Sequence, residues 1–132
     1  MISGLVVTHG GFGEELVRVV EMILGPVEGL AAISNRGLSA RELEQRIAES
    51  TAAVEPQSEV LLFIDDLAGS CAGAARLAAR NGIPTVIVTG VNLAMLLDFS
   101  TWRESLELPE LARRLVEKGR EAISLIDVGE EG

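Results

Sequence analysis

The segment ISGLVVTHGG (residues 2–11) is the most informative part of the sequence, because an apolar run passes directly into a histidine and two glycines. A continuous apolar run of this length is typical of a parallel strand that is buried on both faces. A second such run, VLLFI (residues 60–64), ends in Asp65 and Asp66. Both predicted strands therefore finish in polar residues of the kind that functional sites use.

The residues between these strands carry helix signals. The clearest signal is the capping box from Ser39 to Glu42, whose helix we expect to reach about Thr51. A helix is expected after the turn at residues 9–11, with Glu14 and Glu15 in its first turn and Gly25-Pro26 as its stop. Further helices are expected from a Ser70 cap to residues 81–82, from an Asn92 cap to Leu97, and from near Pro109. Residues 30–34 and 85–89 are predicted as additional strands.

Strands that alternate with helices predict an α/β domain of three layers, with a mainly parallel sheet and helices on both faces. For the common strand order 2-1-3-4, the functional crevice lies between the first and third strands, at their carboxyl ends. We expect one domain over residues 1–128 and a mobile tail over residues 129–132. The periodicity of residues 122–128 is compatible with a final short strand or with the end of the last helix.

Charge and composition exclude several classes of function. The net charge is −9, from 11 basic and 20 acidic residues, which disfavours nucleic acid and anionic membranes as partners. The N-terminus lacks the basic region of a signal peptide, and the longest uncharged stretch, residues 81–97, is interrupted by Gly and Pro. We therefore expect a cytoplasmic protein without direct membrane insertion.

The chain contains one cysteine, Cys71, and one histidine, His9. An internal disulfide is excluded, and one Cys with one His cannot build a zinc cluster, so we expect no metal and no cofactor. Cys71 lies near a predicted helix start, where a thiol can become reactive, but small core packing is the commoner role.

The carboxyl ends of the first and third strands carry the candidate chemistry. A neutral imidazole such as that of His9 is a good nucleophile toward phosphorus, and a neighbouring carboxylate fixes its tautomer. Backbone amides of Gly10, Gly11, Gly69 and Ser70 are candidate donors to phosphoryl oxygens. The alternative interpretations are that His9 is a tolerant turn residue and that the Asp65-Asp66 pair only caps a loop.

Five segments together resemble the mannose-family IIA component of the bacterial phosphoenolpyruvate-dependent sugar phosphotransferase system. They are VVTHG (residues 6–10), FID (63–65), GS (69–70), GVNLAML (90–96) and GRE (119–121). They occur in the family's order over almost the whole chain.

The resemblance implies a fold, a chemistry and partners. The fold has four parallel strands and one antiparallel C-terminal strand, which a homodimer exchanges between its subunits, so residues 122–128 would be a strand. His9 matches the phosphorylated histidine, Asp65 the orienting aspartate, and Ser70 the serine that faces the phosphoryl group. The phosphoryl group would arrive from the carrier protein HPr and leave for a IIB component, making the chain a phosphotransferase without a cofactor.

The chain departs from the family pattern near the expected site. Ala68, Cys71 and Gly73 replace residues of a Gly-Gly-Ser-Pro segment and a following Asn, Asp66 replaces a neutral residue, and Ala94 replaces a proline. Two alternative functions stay open from the sequence. The phosphorylated and free forms could bind different regulatory targets without sugar transport, or the domain could bind a small ligand without any phosphoryl group.

Overall fold

The computed structural model describes residues 1–53 and 58–131. Four strands form one parallel sheet in the order β2-β1-β3-β4. They are β1 (Ile2–Thr8), β2 (Leu30–Ser34), β3 (Glu59–Ile64) and β4 (Thr85–Thr89). The predicted parallel sheet and its 2-1-3-4 order are confirmed.

Helices connect the strands and continue beyond the sheet. They are α1 (Phe12–Leu24), α2 (Ala40–Ala52), α3 (Ser70–Ala78, followed by a 3-10 turn Ala79–Asn81), α4 (Leu93–Trp102), α5 (Leu108–Glu121) and α6 (Val128–Glu131). None of the helices in the described part of the chain is long and apolar enough to cross a membrane.

Two hydrophobic cores lie on opposite faces of the sheet. One packs α1, α4 and α5 against Val6 and Phe63, and the other packs α2 and α3 against Val7 and Ile64. Consecutive residues of each strand face opposite cores because side chains alternate along a strand. This alternation produces the three layers that the sequence predicts, and it explains why the central residues of the strands are apolar on both faces.

Most of the local helix signals are confirmed. The Ser39 hydroxyl accepts a hydrogen bond from the Glu42 amide, and the Glu42 carboxylate accepts one from the Ser39 amide, which completes the capping box. Asn92 caps α4 as expected, but this helix continues past Leu97 to Trp102. It continues because Phe99 is fully buried in the core, where its ring meets Phe63 edge to face.

The predicted Ser70 cap is wrong. Gly69 occupies the cap position of α3 with φ 110° and ψ 179°, and Ser70 is the first residue of the helix. The backbone reaches this conformation only because Gly69 has no side chain, so the chain turns one residue earlier than a serine cap would turn it.

The expected fifth, antiparallel strand does not form among the described residues. Residues 123–127 pair with no strand, and Leu125 is 93% exposed. A strand is stabilised by hydrogen bonds to a neighbouring strand, and a single copy of the chain offers this segment none. Residues 128–131 form the short helix α6, and the mobility expected for residues 129–132 stays a prediction.

Candidate functional site

His9 and Asp65 meet at the carboxyl edge of the sheet. His9 follows β1 and Asp65 follows β3, and these strands are parallel neighbours with Val7 opposite Ile64. The two residues are therefore brought together by the strand order and not by closeness in sequence. His9 Nδ1 lies 2.9 Å from Asp65 Oδ2, and the His9 backbone amide donates to the same oxygen at 2.9 Å.

This contact defines what the ring can do. Ionised Asp65 is an acceptor, so Nδ1 carries the proton in the neutral ring and Nε2 keeps its lone pair. Partial burial disfavours the charged carboxylate, but the hydrogen bonds from the His9 amide and ring, with the charge of His9, lower the pKa of Asp65 overall. Asp65 is therefore ionised at neutral pH. The side chain of His9 is half exposed, which leaves the ring accessible.

Gly69 leaves open the space beside the nucleophilic nitrogen. A Cβ built at this position would lie 3.5 Å from His9 Cε1 and 3.8 Å from Nε2. A side chain here would cover the side of the ring at which a phosphoryl group would approach. The structure thus brings Gly69 and His9 together, and their roles stay a prediction.

The N-terminus of α3 lies beside His9. The first amides of an α-helix have no partner within the helix, and its dipole favours anions at this end. Ser70 is exposed and opens the helix next to Gly69. The start of α3 and the open space at Gly69 could therefore accommodate a phosphoryl group attached to Nε2.

The Gly10-Gly11 turn is contacted by Asn35 and Arg36, which the sequence analysis did not identify as candidate site residues. The Gly10 amide donates to Asn35 Oδ1 at 3.0 Å and is therefore already occupied. Arg36 Nη2 lies 3.6 Å from the Cβ position of both Gly10 and Gly11. Asn35 and Arg36 follow β2, so the order β2-β1 was the signal that could have placed them beside this turn.

Asp66 and Cys71 have different positions relative to His9. Asp66 is exposed, whereas Asp65 makes the contact with the ring. Cys71 is fully buried, and its Sγ lies 3.8 Å from His9 Nδ1. Burial, and then the negative charge of Asp65, raise the pKa of the Cys71 thiol to about 11. The free thiol is therefore protonated and is not the reactive cysteine that a helix start can produce.

The fold and the sequence define a IIA domain of the phosphotransferase system. The family model described as "PTS system fructose IIA component" (EIIA-man) matches residues 4–116, and the chain belongs to this family.

Known relatives agree with this assignment. The chain is 28% identical over 127 residues to the "PTS system mannose-specific EIIAB component" of Escherichia coli (strain K12), covering 95% of this chain and 39% of that protein. It is also 28% identical over 116 residues to the "PTS system fructose-specific EIIA component" of Bacillus subtilis (strain 168), covering 87% of this chain and 80% of that protein. The chain thus spans about two fifths of the E. coli relative's length.

Solved structures share the fold. The crystal structure of the EIIA component from Streptococcus agalactiae matches with a TM-score of 0.85 at 22% identity, covering 98% of this chain and 99% of that one. The mannose/sorbose-specific IIA subunit from Enterococcus faecalis matches with a TM-score of 0.78 at 23% identity, covering 95% and 94%.

Proposed function

We propose that His9 Nε2 accepts a phosphoryl group from phosphorylated HPr and passes it to a IIB component during sugar uptake in the cytoplasm. The observation that carries this proposal is the 2.9 Å contact between His9 Nδ1 and Asp65 Oδ2, which leaves the lone pair on Nε2. Family membership supports the phosphotransferase chemistry, and the geometry supports the choice of residue and atom.

The transfer needs a nucleophile and a group that stabilises the charge which develops on it. The Nε2 lone pair forms a bond to phosphorus while the phosphorus–nitrogen bond of the donor phosphohistidine breaks. The His9 ring gains positive character, which the Asp65 carboxylate stabilises through the Nδ1 proton. Return of the bonding pair to Nε2 releases the phosphoryl group to the next acceptor. Neither step requires a metal or a redox cofactor.

Donors around Nε2 offset the charge of the phosphoryl oxygens. The protein carries a net charge of −9, so an incoming anion needs local compensation. In this proposal the amides of Gly69 and Ser70 at the start of α3 supply it, and the Gly11 amide is a further donor. The Arg36 guanidinium at the Gly10-Gly11 turn adds a positive charge, although the Gly10 amide itself is engaged by Asn35.

The partners in this proposal are proteins. The acidic surface that disfavours nucleic acid is complementary to a basic docking face on HPr or on a IIB component. The exposed side chains Ile123, Leu125 and Ile126 form an apolar C-terminal segment. In a homodimer this segment would be covered by exchange with the second subunit, where it would gain the strand partner that one copy lacks.

The experiment that tests the proposal is phosphorylation by purified components. The chain is incubated with phosphoenolpyruvate, the general transferase and HPr, and its intact mass is measured. We expect one acid-labile phosphoryl group in the unaltered chain and none in His9→Ala. Labelling of His9→Ala at the rate of the unaltered chain, or no labelling of either, would overturn the assignment.

A further inference from the structure

Cys71 carries a buried thiol that the proposed transfer does not use. Its Sγ, a ring nitrogen of His9 and a carboxylate oxygen of Asp65 all lie within 4.8 Å of one another. The three residues come from separate places in the chain, after β1, after β3 and in the first turn of α3. Their donor atoms therefore converge at one point because of the fold.

The spacing of these donors fits a small divalent ion that takes sulfur, nitrogen and oxygen ligands. A tetrahedral Zn²⁺ has bonds of about 2.3 Å to sulfur and about 2.0 Å to nitrogen or oxygen, which separates its donors by roughly 3.2–3.8 Å. Nδ1 lies 2.9 Å from Asp65 Oδ2 and 3.8 Å from Cys71 Sγ. These two sides of the triangle need shifts of a few tenths of an ångström to admit the ion. The third side, from Sγ to the Asp65 carboxylate oxygen, lies within 4.8 Å, so the Cys71 side chain must also approach Asp65 by up to about 1 Å.

The surroundings also fit a bound cation. Asp65 Oδ1 is buried and has no hydrogen-bond partner among the described residues. A buried carboxylate oxygen without a donor is an acceptor that a metal could satisfy. Cys71 is fully buried, whereas the His9 side chain is half exposed, so an ion can reach the site from the solvent side of the ring.

We propose that His9, Asp65 and Cys71 bind one Zn²⁺ per chain and that bound zinc prevents His9 from accepting a phosphoryl group. The metal site is independent of the proposed function, whereas the inhibition rests on it. Zinc would thus act as a reversible inhibitor at the site of phosphoryl transfer.

The inhibition follows from the position of one proton. Zn²⁺ forms bonds to Nδ1, to Sγ and to a carboxylate oxygen of Asp65, and the thiol proton is released to solvent. The proton that Nδ1 held toward Asp65 moves through water to Nε2, because a neutral imidazole keeps one N–H. Nε2 then has no free lone pair, and the bond to phosphorus cannot form.

The sequence alone predicted no metal, since one Cys and one His are too few for a zinc cluster. The sequence placed Asp65 beside His9, but the approach of Cys71 to the same ring nitrogen becomes visible only in the structure, where α3 packs on the sheet. A proline at position 71, as in the Gly-Gly-Ser-Pro pattern of the resembling family, would supply no thiolate. The proposed site therefore depends on a residue by which this chain departs from that pattern.

Metal binding is tested first without phosphorylation. Co²⁺, a spectroscopic substitute for Zn²⁺, is titrated into the unaltered chain. We expect one ion per chain and a thiolate-to-cobalt charge-transfer band, which Cys71 alone can supply because it is the only cysteine. Zn²⁺ should abolish the band by displacement. Absence of the band would overturn the site, even if the Cys71 variants failed to fold.

Variants then assign the ligands. Removing an outer partner of a metal ligand costs about 10- to 100-fold in affinity, so loss of a direct ligand in Cys71→Ala should weaken Zn²⁺ binding at least about 100-fold. Asp66→Asn is the matched control, because it removes an exposed neighbouring acid outside the triad and should retain the affinity. Equal affinity in the unaltered chain and Cys71→Ala would show that zinc binds elsewhere.

Inhibition is measured as the rate at which prephosphorylated HPr labels the chain. For each variant, the rate with Zn²⁺ is divided by the rate without it. We expect zinc to stop labelling of the unaltered chain and to leave labelling of Cys71→Ala unaffected. If zinc slows labelling of the unaltered chain and of Cys71→Ala equally, it acts on the donor, and the proposal of inhibition at this site is wrong. If neither protein is labelled without zinc, the proposed function fails while the cobalt result still decides the metal site.

Discussion

Asp65 and Asp66 are adjacent, yet their surroundings assign them different effects on His9. Asp65 accepts both the ring and the backbone hydrogen bond of His9, and Asp66 is exposed. Loss of a carboxylate that orients a histidine costs on the order of 10- to 100-fold, by analogy with metal-bound histidines. We therefore expect Asp65→Ala to slow phosphorylation of His9 by about this factor.

Asp66→Ala is the matched control for this prediction. It removes a negative charge near an incoming anion, so phosphorylation should stay near the unaltered rate or become faster, most clearly at low salt. Both transfer rates are measured at two ionic strengths. A larger loss in Asp66→Ala than in Asp65→Ala would mean that the wrong aspartate has been assigned.

Gly69 combines a backbone and a steric requirement. Its φ of 110° and ψ of 179° lie in a region almost restricted to glycine, and a Cβ would contact His9 Cε1 and Nε2. We expect Gly69→Ala to lower the free energy of unfolding by about 1–3 kcal/mol and to slow phosphorylation. Urea unfolding and the transfer assay measure the two effects.

Gly73 provides the contrast within the same helix. It lies inside α3, and a Cβ there meets no atom within 4 Å. Gly73→Ala should raise the free energy of unfolding by about 0.5–1 kcal/mol, because alanine is the better helix former. If both alanine variants proved equally stable, the special role of the Gly69 backbone would be refuted.

Among the helices, α4 depends on a residue with two partners. Asn92 Oδ1 accepts from the Met95 amide at 3.1 Å, and Asn92 Nδ2 donates to the Gly119 carbonyl at the end of α5 at 3.0 Å. Loss of a cap costs about 1 kcal/mol and loss of a further hydrogen bond about 1 kcal/mol more. We expect Asn92→Ala to destabilise the protein by about 2 kcal/mol in urea unfolding.

Ser39→Ala is the comparison variant, because Ser39 caps α2 through an exposed bond and joins no second helix. It should cost about 1 kcal/mol. A cost in Asn92→Ala no greater than that in Ser39→Ala would show that the bond to Gly119 contributes nothing measurable.

The same elements show how far sequence reasoning reaches. The Ser39-Glu42 capping box and the buried strands were predicted because a few adjacent residues determine each. The Ser70 cap was wrong because it depended on the backbone angles of Gly69, and α4 was predicted too short because tertiary packing of Phe99 prolongs it. Secondary structure was therefore predictable where its causes are local.

The contacts of the candidate site also fall into predictable and unpredictable ones. The His9–Asp65 contact could be predicted, because both residues end neighbouring strands in a common strand order. The approach of Cys71 to His9 joins positions 62 residues apart and requires the packing of α3 on the sheet. For Arg36, the order β2-β1 could have indicated the neighbourhood of the Gly10-Gly11 turn, but the contact itself also depends on the path of the loop after β2. Strand ends are visible in a sequence, whereas contacts made by helix and loop side chains are not.

For the whole molecule, the C-terminal apolar segment predicts the state of assembly. Ile123, Leu125 and Ile126 are 79%, 93% and 66% exposed in one copy, which disfavours an isolated chain in water. We expect a stable homodimer by light scattering at micromolar concentration. A chain that ends at residue 122 should be monomeric and folded, because this segment contributes no residue to either core. A monomeric full chain would contradict the strand exchange.

The central claim is that Asp65 holds Nδ1 of His9 and leaves Nε2 to accept the phosphoryl group. The most direct test is NMR of the phosphorylated protein with ¹⁵N-labelled histidine, since the chain has a single histidine and its two ring nitrogens are distinguishable. Phosphorus should be coupled to Nε2, and a proton should be retained on Nδ1. Phosphorus coupled to Nδ1 would contradict the claim.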